Sequence, residues 1–272
     1  MNDPRVSRRR ITRFADGAFS DVEDAVAAEG PLEIRIGGRT LAVTLRTPGH
    51  DRELALGFLA SETLIAARSD VAALEEVPAT CSDQPDAIDV TLAPGRTLDW
   101  TRLERHFTAT SACGLCGRAH LDSLRAGLTP IPVTSPLDPA ALGAIPARLR
   151  RAQETFEATG GLHASAWLDE ALETGVLRED VGRHNAVDKV AGWLIESGRY
   201  PAGRGVLWAS GRAGAEIVLK CARARIPVLA AVGAPTSLAI ELAESAHLTL
   251  IGFLREDRMN VYSGRERLAV RA

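Results

Sequence analysis

The chain lacks most of the features that assign a protein to a class at sight. It has four cysteines, Cys81, Cys113, Cys116 and Cys221, in 272 residues, too few for the dense cross-linked scaffold of a small secreted domain. It has no basic excess: 32 Lys and Arg stand against 35 Asp and Glu, a net charge of -3. That balance argues against a general nucleic-acid binder. No apolar run approaches the ~20 residues that span a bilayer, so a soluble cytoplasmic protein without membrane contact is expected. Ser7-Arg8-Arg9-Arg10 has the look of a twin-arginine export signal, but Asp16, Asp21, Glu23 and Asp24 follow where an apolar segment belongs. The expectation is a flexible basic tail over residues 1–20. Solenoid repeats and low-complexity tracts are absent, as are the G-x-x-x-x-G-K-[ST] and G-x-G-x-x-G loops of the common nucleotide folds.

What is present is an ordinary globular composition, 46% hydrophobic and 25% charged, enough for one large or two modest cores. Leu32 to Ile36 alternates apolar with charged, Gly37-Gly38 turns, and Thr40 to Leu45 resumes extended character, which predicts a hairpin. A helix from Glu53 to Leu64 should pack on it, with His50-Asp51 as its N-terminal device. Possible strands follow at Val71–Val77 and Ala87–Ala93, then a short helix at Arg118–Ala126. Pro130, Pro132 and Pro136 mark a break. These signals predict a small α+β domain over 21–130, ending in the loop that carries Cys113 and Cys116. Residues 131–272 read differently. A helix opened by Asp138-Pro139 runs to about Glu157 and two strands flank Asp169-Glu170. Helices at His184–Ser197, Ala213–Ala222 and Thr236–Ala246 then alternate with strands at Val206–Ala209, Pro227–Val232 and Leu248–Phe253, before a last strand at Asn260–Tyr262. That order predicts an α/β layered sheet with right-handed crossovers and helices on both faces, its ligands at the carboxyl ends of the strands.

Four stretches carry chemistry. In Thr110-Ser111-Ala112-Cys113-Gly114-Leu115-Cys116-Gly117-Arg118 two thiols share a glycine-flanked C-x-x-C frame. In a reducing compartment this favours thiolate chemistry on a movable loop. Structural zinc is the alternative, with Cys116 and His120 at plausible spacing and a remote fourth ligand in Cys81 or Cys221; a thiol–disulfide oxidoreductase is another. Arg178 to Lys189 is dense in ionisable groups where a strand hands over to a helix. Asp180, Arg183 and His184 are its candidate ligand contacts, with Lys189 a further positive charge. Ser210-Gly211-Arg212 sits directly before a helix, where bare backbone N–H groups make a phosphate cradle. In Gly252 to Tyr262, Arg255 and Arg258 can clamp a pyrophosphate and Asp257 can accept from the amino edge of a guanine. A zinc nucleoside deaminase is disfavoured: no His is followed two residues later by Glu, and Ala112 rather than Pro precedes Cys113.

Taken together, the Cys113–Cys116 motif, Asp180 to Lys189, Ser210-Gly211-Arg212 and Gly252-Phe253-x-Arg255-x-x-Arg258 resemble the formate dehydrogenase accessory proteins of the FdhD/NarQ family. The resemblance covers most of the chain, from the first hairpin to Tyr262. It implies a cytidine-deaminase-like fold, usually a homodimer, and a sulfurtransferase that takes persulfide sulfur from a cysteine desulfurase. The implied acceptor is the bis-molybdopterin guanine dinucleotide cofactor of formate dehydrogenase, whose tail a guanine nucleotide should mimic. By motif match Cys113 corresponds to the persulfide carrier and Cys116 to its neighbour. Phe253, Leu254, Arg255, Glu256, Asp257 and Arg258 match the cofactor-binding segment. A cofactor-binding chaperone without sulfur transfer is the remaining alternative, since the cradles would serve it equally well.

Overall fold

The computed structural model describes residues 3–81, 84–100, 103, 127–133 and 136–269. Cys113, Cys116 and the expected helix Arg118–Ala126 lie outside them. The chain opens with β1 (Val6–Ala15) and β2 (Ala18–Ala27), an antiparallel pair. Asp16 and Gly17 form its turn at φ 52° and 79°, the left-handed pair that a two-residue hairpin loop requires. The expected flexible tail is therefore replaced by a hairpin. The acids that spoiled the export signal are the cross-strand complement of the arginines: Arg8 meets Glu23 at 3.0 Å and Arg13 meets Asp24 at 3.5 Å.

Strands β3 (Gly30–Ile36), β4 (Arg39–Arg46), β5 (Val71–Val77) and β6 (Asp86–Leu92) form a four-stranded sheet in the order β4-β3-β6-β5, with β3 and β6 parallel. Helix α1 (Asp51–Ser61) lays Leu54, Leu56 and Leu59 against Leu32, Ile34, Ile88 and Val90. Asp51 does not cap it as expected. Its carboxylate accepts from Arg46 at 3.1 and 2.8 Å, while His50 takes a left-handed φ of 58° with no side-chain capping bond.

The helix expected from Asp138 to Glu157 is three short ones, α2 (Pro139–Gly143), α3 (Ile145–Arg151) and α4 (Glu154–Thr159). Asp138 caps the first by accepting from Ala140 N at 2.9 Å. Pro146, without an N–H, cannot continue the helix and opens a new one, and Gln153 breaks the path again at ψ 75°. Then come β7 (His163–Leu168), β8 (Thr174–Asp180), α5 (Arg183–Glu196), β9 (Val206–Ala209), α6 (Ala215–Arg223), β10 (Val228–Ala231), α7 (Ser237–Ser245), β11 (Thr249–Gly252) and β12 (Asn260–Ser263). They build a six-stranded sheet ordered β12-β11-β10-β9-β7-β8 in which β9, β10 and β11 are parallel. These three are buried throughout, as central parallel strands covered on both faces must be. On one face Val187, Val190, Ile217 and Leu242 of α5 to α7 join Leu207 and Leu229; on the other, Leu142, Ile145 and Leu149 join Ala166, Trp208 and Val228.

Helices α1 and α5 cross at two glycines. A Cβ on Gly57 would lie 2.9 Å from Asp188 Cα, and one on Gly192 would lie 2.6 Å from Glu53 Cα, so only bare backbone lets the axes approach this closely. Buried ion pairs flank the crossing. Arg178 grips Glu53 at 2.6 Å, and Lys220 meets Asp188 at 2.7 Å, where Ser61 Oγ also donates at 2.7 Å. Among the described residues, no helix is long and apolar enough to cross a membrane.

Candidate functional site

Because β8, β9, β10 and β11 run the same way, the turns after Asp180, Ala209, Ala231 and Gly252 collect along one edge of the sheet. This is the edge where α/β sheets hold ligands. Main-chain bonds lace the turns: Gly233 N donates to Gly211 O at 2.9 Å, Phe253 N to Gly233 O at 3.2 Å and Ala213 N to Ala234 O at 3.2 Å. Gly233 is confined to glycine here, since its Cβ would stand 2.8 Å from Gly211 O and 2.9 Å from Arg212 Cα.

Several candidate residues converge on this edge and others belong to the framework under it. Gly211 lies beneath His163 and Arg183: a Cβ there would meet His163 Nδ1 at 3.3 Å and Arg183 Cδ at 3.9 Å. Ser210 Oγ accepts from Ala164 N at 2.9 Å, tying β9 to β7. Arg212 is exposed and Arg183 half-buried. His184 Nε2 reaches Glu216 Oε2 at 2.9 Å in the first turn of α6, and this contact with His184 holds the Glu216 carboxyl below the usual carboxylate range. In the last turn Arg258, Asp257 and Glu256 are exposed, and Phe253 is partly exposed at a left-handed φ of 52°, a conformation that non-glycine residues adopt mostly where function or tight packing demands it.

Four expectations move. Asp180 is fully buried: it accepts from Thr47 N at 3.1 Å, Gly182 N at 2.8 Å and Asn185 Nδ2 at 3.1 Å, with Lys189 Nζ at 2.7 Å. Its carboxylate holds the strand-to-helix turn in shape and cannot meet a ligand. Lys189, buried with it, donates to Thr47 O at 2.9 Å. Burial pulls its pKa below the ordinary lysine value while Asp180 opposes the fall, so it joins the two sheets rather than neutralising an anion at the edge. Leu254 is core, with no exposed surface; a ligand can meet only its backbone. Arg255 is partly committed, because Nη1 donates to Val232 O at 2.8 Å and Leu254 O at 2.7 Å. That grip shapes the turn which presents Arg258.

His163 was missed by sequence reasoning. It opens β7 opposite Asp180, half-buried, and burial followed by the charges of Arg183 and His184 pushes its pKa below the ordinary imidazole value. The available signal was a histidine heading the otherwise uncharged strand His163–Leu168, just after Gly160-Gly161. Of the other two cysteines, Cys221 is buried and its thiol pushed far up by desolvation, while Cys81 is exposed. Among the described residues no cluster of three or more His, Cys, Asp or Glu side chains can hold a metal; the expected zinc alternative at Cys116 and His120 lies outside them.

An imidazole, arginines and the start of α6 gathered at one edge of a parallel sheet define the class: an α/β protein whose candidate site lies where such sheets hold ligands. The FdhD/NarQ family model matches residues 27–269. The chain is 48% identical over 271 residues to "Sulfur carrier protein FdhD" of Streptomyces avermitilis, covering 97% of this chain and 96% of the relative. It is 44% identical to the protein of the same description from Mycobacterium tuberculosis, covering 96% and 98%. The crystal structure of a candidate formate dehydrogenase accessory protein from Desulfotalea psychrophila superposes with a TM-score of 0.76 at 22% identity, covering 98% of this chain and 100% of that one, which establishes the shared fold. The chain belongs to the FdhD/NarQ family.

Proposed function

We propose that the protein is a cytoplasmic sulfur carrier that loads a persulfide on Cys113 from a cysteine desulfurase and delivers the sulfur to the bis-molybdopterin guanine dinucleotide cofactor destined for formate dehydrogenase. The names of the relatives support the carrier role. The observation that carries the cofactor half is the sheet edge itself: four strand-terminal turns meet there, and Arg183, Arg212 and Arg258 lie on them. The guanine dinucleotide is the substrate's anionic handle. Arginine forks and the N–H groups at the start of α6 match pyrophosphate oxygens in charge and hydrogen-bonding sense, and the exposed Asp257 suits the amino edge of guanine.

In the loading step the Cys113 thiolate attacks the terminal sulfur of the donor's Cys–S–SH. One S–S bond forms on Cys113, the donor's S–S bond breaks, and the donor cysteine leaves as thiolate. No net oxidation occurs, and the proton on the transferred sulfur stays with it. A neutral His163 beside Arg183 adds a hydrogen-bonding group without adding charge. The carrier works as a homodimer in this reading.

The test is intact-protein mass spectrometry after incubation with a cysteine desulfurase and cysteine. Wild type should gain one sulfur mass and Cys113→Ala should not, while Cys116→Ala reports whether the second thiol is needed. A wild type that gains no sulfur under nonreducing handling removes the carrier reading. If it still binds GDP, the cofactor-binding chaperone takes its place, because the arginine-bearing edge does not depend on the thiols.

A further inference from the structure

In the six-stranded sheet β7 lies between β9 and β8, so the turns that follow β8 and β9 stand on either side of the start of β7. His184 is the second residue of α5 and Glu216 the second of α6. Their side chains meet there, His184 Nε2 to Glu216 Oε2, at 2.9 Å. This bond holds the Glu216 carboxyl below the usual carboxylate range. An ionised carboxylate can only accept, so the shared proton belongs to the imidazole nitrogen. Gly211, in the turn between β9 and α6, lies against His163 and against Arg183, the residue before His184.

A carboxylate is out of place at this spot. The proposed function gives the edge a ligand that carries pyrophosphate, and the first turn of a helix attracts an anion through N–H groups that have no partner within the helix. Gly214, the residue that opens α6, has no side chain with which to cap it, and Glu216 is the one acid in the first turn. It therefore puts a negative charge where the ligand would bring its own. Nothing else in the helix claims it. Lys220, one turn on, donates to both oxygens of Asp188 at 2.7 and 2.8 Å. The Glu216 side chain is 54% exposed, so it can turn into water without disturbing the core.

We propose that Glu216 competes with the ligand's phosphate for the imidazole N–H of His184, and leaves it when the phosphate binds. Carboxylate and phosphate oxygens are acceptors drawn to the same donors. His184 changes partner, Glu216 turns outward, and affinity for the anion stays below what the arginines and the helix start would give without the acid. That suits a carrier, which must hand on what it holds. The inference rests on the cofactor half of the proposed function and is independent of the thiols.

Calorimetric titration of the full chain with GDP, at low and at high ionic strength, tests it. Glu216→Gln should bind GDP roughly fivefold more tightly than wild type at low ionic strength, the effect of removing one like charge from beside the ligand where water still screens it. The gain should shrink as salt is added. Glu216→Asp keeps the charge and should show no gain. His184→Ala should weaken binding, and Glu216→Gln added to it should lose most of the gain, because the contested donor is gone. Neither side chain belongs to the core, and circular dichroism verifies that each variant is folded. A Glu216→Gln protein that binds GDP as wild type does, or more weakly, overturns this inference alone, since the carboxylate is then a bystander or a support for His184. A gain that survives in full without His184 overturns it too. A wild type without affinity for GDP removes the cofactor half of the proposed function together with this inference, and leaves the mass-spectrometric test of sulfur loading standing.

Discussion

Substituting alanine at Gly57 or Gly192 tests how the two halves of the protein are joined. The added methyl would sit 2.9 Å from Asp188 Cα in the first case and 2.6 Å from Glu53 Cα in the second, and closer still to the carbonyls of those residues. Non-bonded carbons settle at about 3.5–4.0 Å, so the helix axes must part by on the order of 1 Å. The obstructing atoms are backbone, which has no rotamer to change. The cost therefore falls near the top of the range for overpacking, about 3 kcal/mol, and alanine's better helix propensity returns about 1 kcal/mol. A net loss of about 2 kcal/mol follows, and more if the shift loosens Arg178–Glu53 or Lys220–Asp188, which are anchored on the residues struck. Urea unfolding followed by tryptophan fluorescence measures it: with a slope of roughly 2 kcal/mol per molar, the midpoint should drop by about 1 M at unchanged slope. The double variant should cost less than the sum, because the first separation makes room for the second methyl. Gly214→Ala is the control, since a Cβ there meets nothing within 4 Å. If either helix variant proves as stable as wild type, the backbones are not in contact and the account of the junction is wrong.

Asp188→Ala should destabilise by about 3–5 kcal/mol, the usual consequence of leaving a buried cation such as Lys220 without its partner; adding Lys220→Met should recover part of the loss in the same urea assay. His163 has a folded pKa below its unfolded value near 6.5, so its contribution to stability is complete above that pH and is lost as pH falls through the folded pKa. His163→Gln should flatten the acid limb of the stability profile, and an imidazole NMR titration should place the transition below that of an exposed histidine. Tyr200 is pushed up to about 12 by burial from an ordinary 10.0. Its contribution is intact below the unfolded value and disappears as pH rises toward the folded one, a loss of about 2–3 kcal/mol. Tyr200→Phe should abolish that alkaline loss. Arg212→Ala should weaken GDP binding by roughly tenfold at low ionic strength, with the difference shrinking as salt screens the charge; calorimetric titration that finds equal affinity removes Arg212 from the site.

Much of the fold was legible because its signals are local. The Gly37-Gly38 hairpin, the α5–β9–α6–β10–α7–β11 alternation and the capping role of Asp138 each follow from a few neighbouring residues whose preferences agree. The errors arose where one residue overruled a longer pattern or where the deciding partner lay elsewhere. Pro146 divided what reads as one helix. Asp51 sits where a cap belongs, but Arg46 from the preceding strand claims it. Residues 1–20 read as a tail because a run of arginines dominates them, and the acids that pair with it lie across a turn whose geometry is evident only once both strands are laid side by side.

The candidate site divides along the same line. Sequence alone determined that strand-to-helix turns with glycine and arginine would gather at one sheet edge, since parallel strands linked by right-handed crossovers leave their carboxyl ends together. It also singled out Cys113 and Cys116 by spacing. Only the tertiary structure decided which charges face that edge. Asp180 and Lys189 look like ligand contacts in a string of letters, yet each has a buried partner contributed by another element. His163 and Glu216 look unremarkable and stand at that edge. Burial of a charge depends on what packs over it, and that is a property of neighbours brought together in space, which the order of residues along one segment does not record.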